Sequence, residues 1–178
     1  DQNRMIYSTT AYPRFEGFSA ACRSLVETLQ RVVQPALILR IGLRYGDCIR
    51  IGPTESLQTY VDPCFGYPPQ ALSLGKPQFQ REEIGIQTDI GNLMIRSLYG
   101  VHRLRCLPDL QGIPGMPVPD TEASHRIVLD FDHGWAPAPK PEAFGADRLL
   151  DVLSQLHTTA REAFWSLTSE SAKKNQWA

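Results

Sequence analysis

The sequence predicts an α+β fold, with one mainly antiparallel sheet and two long amphipathic helices packed on one of its faces. Two stretches, 15–32 and 149–167, repeat apolar residues at steps of three and four. Between them the apolar period changes to two, most clearly in HRIVLDFDHGW. The first spacing makes one apolar stripe along a helix, and the second makes one apolar face on a strand, so each kind of element can bury the other's greasy side.

In chain order, residues 5–8 predict a short strand, and YPRFE opens the first helix. Its stripe is Phe15, Phe18, Cys22, Leu25, Leu29 and Val32, with Pro13 in the first turn, where a missing N–H costs nothing, and Pro35 closing it. Over 36–51, Leu37, Leu39, Ile41, Leu43 and Tyr45 alternate with Arg40, Gly42 and Arg44. This predicts one long strand, or two broken near Gly46, with its arginines turned away from the helices. Residues 52–88 hold no sustained period and predict a long loop with one short helix near Gln70; 108–124 is a second Pro-rich loop. Between them, 92–107 predicts strand, turn and strand about Gly100. In the next strand Ile127, Leu129 and Phe131 form one face and Val128, Asp130 and Asp132 the other. APAPKPEA predicts an extended linker, Asp147 the cap of the last helix, and SESAKKNQWA a fraying tail.

The 178 residues suit a single domain over 1–178, which also reads as the C-terminal part of a longer protein, because its opening residues start in a strand with neither an initiator Met nor a targeting pattern. With 18 Lys and Arg against 19 Asp and Glu, the net charge gives no general pull toward a polyanion. No apolar run approaches the roughly 20 residues that cross a bilayer, so no membrane span is expected. Cys22, Cys48, Cys64 and Cys106 lack the short paired spacings of zinc or redox motifs; read as free thiols, they favour a cytoplasmic location.

Several segments together resemble a sporadically distributed, functionally uncharacterised prokaryotic family known mainly as a numbered sequence profile. They are YPRFE leading into a helix, RIGLRYGDCIRI, TDIGNLMIR, VLDFDHGW and LHTTAREAFWSLTSE, which span most of 5–170. The resemblance implies a bacterial cytosolic protein lacking the family's N-terminal part. It brings no catalytic residues.

The sharpest candidate site is DFDH. Asp130 and Asp132 lie on one strand face with Cα atoms roughly 7 Å apart, so they could converge on Mg²⁺ or Mn²⁺, with Asp89 as a further metal ligand and His133 as a catalytic candidate. His133 points to the opposite face while the strand lasts. A competing reading pairs Asp130 and Asp132 with Arg40 and Arg44 across strands and needs no cofactor; it is preferred over both the metal site and simple solvent exposure. A second candidate is a basic strip of Arg96, Arg103 and Arg105, with Tyr45 and Tyr99 able to stack on bases; an ordinary solvated sheet face is the preferred reading, since flanking acids cancel much of its field. His157, on the stripe of the last helix, reads as a buried neutral imidazole. The chain has no G-x-S-x-G, P-loop, G-x-G-x-x-G or H-E-x-x-H motif.

The function expected first is a non-enzymatic binding or accessory protein that recognises a protein partner through the charged sheet face, with Arg40, Arg44, Arg96 and Arg105 as binding residues, and through the two Pro-rich loops; no cofactor is expected. The alternatives are a metal-dependent phosphodiesterase or nuclease at Asp130 and Asp132, and an RNA-binding module on the arginine strip. The oligomeric state is not predicted.

Overall fold

A computed structural model describes residues 4–67, 73–75 and 78–175. Its strands are β1 (Leu37–Ile38), β2 (Ile41–Arg50), β3 (Phe79–Gln87), β4 (Asn92–His102), β5 (Ser124–Trp135) and β6 (Glu142–Ala143). Its helices are α1 (Arg14–Val32), α2 (Ala146–Leu167) and α3 (Glu170–Asn175). Four strands form an antiparallel sheet in the order β2-β5-β4-β3, and β1 pairs with β6 apart from it. The α+β class and the antiparallel sheet are as the alternating periods predict.

β5 lies inside the sheet, and its side chains facing the helices are almost fully removed from water: Ile127, Leu129, Phe131 and His133 are each 0% exposed. Burying a side chain such as Phe131 stabilises the fold by about 1.5–3 kcal/mol. Two apolar clusters fill this face. Ile38, Ile41 and Leu43 pack with Leu150, Leu153 and Leu156 of α2, and half-buried Phe15, Phe18 and Cys22 of α1 close that cluster from outside. Leu93, Ile95, Leu129 and Phe131 pack with Leu57, Tyr60, Val61 and Phe65, and Ala172 of α3 joins them.

α1 lies on the same side of the sheet as α2 but only Val26 is buried along it. It ends in a left-handed turn: Gln34 has φ 52°, and the N–H groups of Val33 and Gln34 both donate to the Leu29 carbonyl, one residue before Pro35. α2 starts at Ala146, so Asp147 sits in its first turn and meets Arg23 at 3.2 Å instead of capping the helix.

Five local expectations are corrected. Residues 5–8 are not a strand. The break in 36–51 falls at Leu39 and Arg40, not Gly46: Ile38 is buried while Leu37 and Leu39 are exposed, so the alternation slips there and β1 leaves for β6. The long 52–88 loop hides β3, a strand whose charged and exposed residues mask its period; Gln70, where a helix was expected, lies outside the described residues. β4 runs through Gly100 without turning. At φ 147°, Gly100 lets the backbone of Gln78 and Phe79 come so near that a Cβ there would lie 2.5 Å from the Gln78 carbonyl oxygen. The start of the C-terminal tail does not fray but forms α3, with Ser169 Oγ accepting from Ala172 N–H at 3.0 Å.

Among the described residues no helix is long and apolar enough to cross a membrane.

Candidate functional site

The charged face of the sheet carries Arg44 on β2, Arg96 on β4, and Arg126, Asp130 and Asp132 on β5. Strand register places Arg44 opposite Asp132 and Arg96 opposite Asp130. The side chains lean diagonally: Arg44 Nε donates to Asp130 Oδ1 at 2.6 Å, and Arg96 Nη1 donates to Asp130 Oδ2 at 3.0 Å. Each oxygen of the central carboxylate therefore accepts from a different guanidinium. Arg44 also forks onto Asp109, with Nη1 to Oδ2 at 2.8 Å and Nη2 to Oδ1 at 3.1 Å. Arg96 reaches Asp132 and Glu83, each at 3.7 Å.

The 103–123 segment covers this face. It starts after β4, turns through Pro108–Leu110 in a short 3-10 helix that delivers Asp109, and buries Cys106 and Leu107. Asp120 N–H donates to the Arg103 carbonyl at 2.9 Å and closes the loop. Arg126 anchors it from below: at 1% exposure, it donates to the Leu104 carbonyl at 3.3 Å and to Asp120 Oδ2 at 2.7 Å, and both Nε and Nη2 bond Ser124 Oγ. Arg50 meets the same Asp120 oxygen at 2.5 Å. Asp130 is left with a side chain 1% exposed and its two partners 21% and 19% exposed.

Burial pushes the Asp130 carboxyl above its ordinary range, and the bonds from Arg44 and Arg96 oppose that shift. Two guanidiniums that cannot deprotonate hold it as a carboxylate. Burial works against the charge on Arg44, but its bonds to Asp109 and Asp130 outweigh this and raise its pKa. The bond from Arg44 lowers the pKa of Asp109. The group is a closed ion network: each oxygen of Asp130 is bonded to an arginine, and its side chain is 1% exposed.

The structure thus brings Arg44, Arg96, Asp130 and Asp132 together. It does not bring in Arg40, which is exposed beyond the start of β2 and lies over Gly134, where a Cβ would come within 3.1 Å of Nη2. Asp89 is exposed in the β3–β4 turn, past the Asn92↔Gly134 pair that ends the ladder. His133 is on the opposite face, where its Nδ1 donates to the Leu156 carbonyl at 3.0 Å and its Nε2 shares a 2.9 Å bond with Thr88 Oγ1. It ties the β3–β4 turn to α2. For a metal pair, Asp130 would have to leave both arginines. Among the described residues no group of three or more His, Cys, Asp or Glu side chains is arranged to hold a metal ion.

The basic strip does not form either. Arg96 is committed to Asp130, while Arg103 and Arg105 lie beyond β4 in the covering loop. Tyr99 and Tyr45 point to the helix face: Tyr99 packs on the rings of Tyr67 and His125, and Tyr45 shares bonds with Tyr12 Oη at 3.2 Å and His157 Nδ1 at 2.9 Å. The His157 ring stacks on Phe15 with centroids 3.8 Å apart. Burial lowers the pKa of His157 and raises that of Tyr45, so both stay neutral near pH 7.

Sequence reading missed Asp109, Asp120 and Arg126. Arg126 was within reach, since it shares the parity of Asp130 on one strand. No local pattern marks Asp109 or Asp120, because the loop's path over the sheet sets their roles. Compared with family models, with curated proteins and with solved structures, the chain shows no match to any.

Proposed function

We propose that this chain is a non-enzymatic binding or accessory protein of the cytoplasm that docks a protein partner, and that the docking surface is an apolar band along α1 and its flanking segments. The observation that carries this reading is where the exposed large apolar side chains fall. Among the described residues most of them lie between Met5 and Leu39, including Leu25, Val32 (70% exposed), Val33, Leu37 and Leu39. Exposed apolar residues gathered in one stretch of the chain point to an association site more than greasy residues scattered singly do. The charged sheet face fits the role of recognition surface less well than the sequence suggests, because its arginines and acids already neutralise one another beneath the 103–123 loop.

The test uses the chain as bait in extract of its native host. Wild type is compared with Val33→Glu/Leu39→Glu, which charges the band, and with Val118→Glu, which charges an exposed residue of the covering loop. A partner retained by wild type and by Val118→Glu but lost by the double variant supports the proposal. Equal retention by all three, or none by wild type, overturns it.

A further inference from the structure

β3 closes one side of the four-stranded sheet. β4 pairs with it from Phe79 to Gln87 in one unbroken register, and among the described residues nothing pairs with its other side. Most of its residues are exposed. Ile84 and Ile86 stand opposite buried Ile95 and Leu93 on the helix face, yet remain 46% and 41% exposed. Long edge strands are usually guarded by charged side chains, a proline, a bulge or a covering segment, since their free N–H and C=O groups are a template for another strand; β3 carries charges at Arg81, Glu82 and Glu83, in the half of the strand away from Ile84 and Ile86. Within 79–87 there is neither proline nor bulge.

The hairpin turn fixes which backbone groups are free. Thr88 N–H donates to the Gly91 carbonyl at 2.8 Å, so Thr88 turns its backbone polar groups toward β4. By the alternation of an antiparallel ladder, Ile86, Ile84, Glu82 and Gln80 do the same. Gln87, Gly85, Glu83 and Arg81 then direct their N–H and C=O groups away from the sheet.

We propose that a second copy of this chain pairs with this edge, antiparallel, about a two-fold axis through Gly85. In that register Gly85 meets Gly85 of the second copy in a hydrogen-bonded pair. Ile84 meets Ile86, Glu83 meets Gln87, and Arg81 meets Asp89 just past the ladder, each twice by symmetry. The neighbouring registers are worse. Centring on Glu82 or Glu83 sets a carboxylate directly against its own copy, which destabilises a strand pair, and centring on Ile84 sets Glu82 against Ile86. Charge and apolar matching therefore select a second copy and a single register.

The paired residues share parity, so the helices of both copies stay on one side of a continuous eight-stranded sheet. The four isoleucines extend the core cluster across the junction. One strand pair buries less than the roughly 1,600 Å² of a standard stable interface, so the dimer is concentration-dependent and not obligate. This surface is distinct from the apolar band of α1, and the two proposals stand or fall separately.

The test is sedimentation velocity on the full chain over a concentration series, for wild type, Arg81→Glu, Asp89→Arg and the double variant Arg81→Glu/Asp89→Arg. These are exposed positions, and circular dichroism checks that each variant is folded. The expected result is a wild-type dimer that grows with concentration, a Kd raised about tenfold by each single reversal, and recovery of the wild-type Kd when both are reversed. A wild type that stays monomeric throughout, a dimer insensitive to the single reversals, or a double variant no tighter than the singles overturns the proposal.

Discussion

Replacing Asp130 by Asn removes one charge and almost no volume from the centre of the ion network, which makes it the sharpest probe of what that network does. The carboxylate accepts from Arg44 at 2.6 Å and from Arg96 at 3.0 Å. An amide in its place offers one acceptor oxygen and turns an NH₂ donor toward the other guanidinium. Breaking a buried ion pair from one side costs about 3–5 kcal/mol, because the partner charge stays buried. Arg44 keeps its fork onto Asp109, and Arg96 keeps its 3.7 Å neighbours Asp132 and Glu83, so the lower end, about 3 kcal/mol, is expected. Urea unfolding measures it as a fall in the midpoint at unchanged slope. Replacing all three residues with apolar ones, Arg44→Met/Arg96→Met/Asp130→Leu, is expected to cost less than Asp130→Asn alone, since the fully buried charge is gone and the acids left without an arginine, Asp109, Asp132 and Glu83, are 58%, 23% and 47% exposed to water. A loss below about 1 kcal/mol for Asp130→Asn would refute the reasoning, since so small a cost is that of an exposed pair.

Two further outcomes follow from the helix face and the β3–β4 pair. Burial, and then Arg161, depress the pKa of His157, with Glu16 opposing; the folded state thus holds this proton more weakly than the unfolded chain, whose His titrates near 6.5. The stability His157 contributes is present above that pH and is lost as pH falls through the folded pKa, so His157→Gln is expected to lose less Tm than wild type between about pH 7 and about pH 5, and an equal or larger loss contradicts this. Gly100→Ala, at φ 147° with its Cβ 2.5 Å from the Gln78 carbonyl oxygen, is expected to cost more than about 1 kcal/mol in urea, and a change within roughly 0.5 kcal/mol would show that β3 shifts freely.

What was legible in the sequence was whatever a regular period could carry. From Leu129 to Asp132 β5 alternates cleanly, so its two faces, and the grouping of Asp130 with Asp132, could be read directly. α2 shows its stripe because Leu153, Leu156 and Ala160 are all buried. β3 was not legible: as an edge strand it buries little, so its residues are free of the alternation that reveals interior strands. Gly100 misled for a related reason, since a glycine in a strand marks a turn or a close backbone approach with the same letter. At the site, the pairing of arginines with acids could be anticipated from parity, whereas the identity of the partners could not. Register fixed Arg96 and not Arg40 as the second cation, and the loop brought Asp109 to Arg44, and neither is a local property of the chain. The stripe of α1 was read as core along its whole length; Phe15, Phe18 and Cys22 do pack there, while Leu25 and Val32 stay exposed, because periodicity shows that a face is apolar without showing what covers it.

The most direct test asks whether the acids of β5 belong to the arginines or to a ligand. Calorimetric titration of the full chain with Mn²⁺, for wild type and Asp130→Asn side by side, answers it. With both oxygens of Asp130 bonded to Arg44 and Arg96, the two proteins are expected to give the same heats; a saturable heat in wild type that the variant lacks would contradict the closed network.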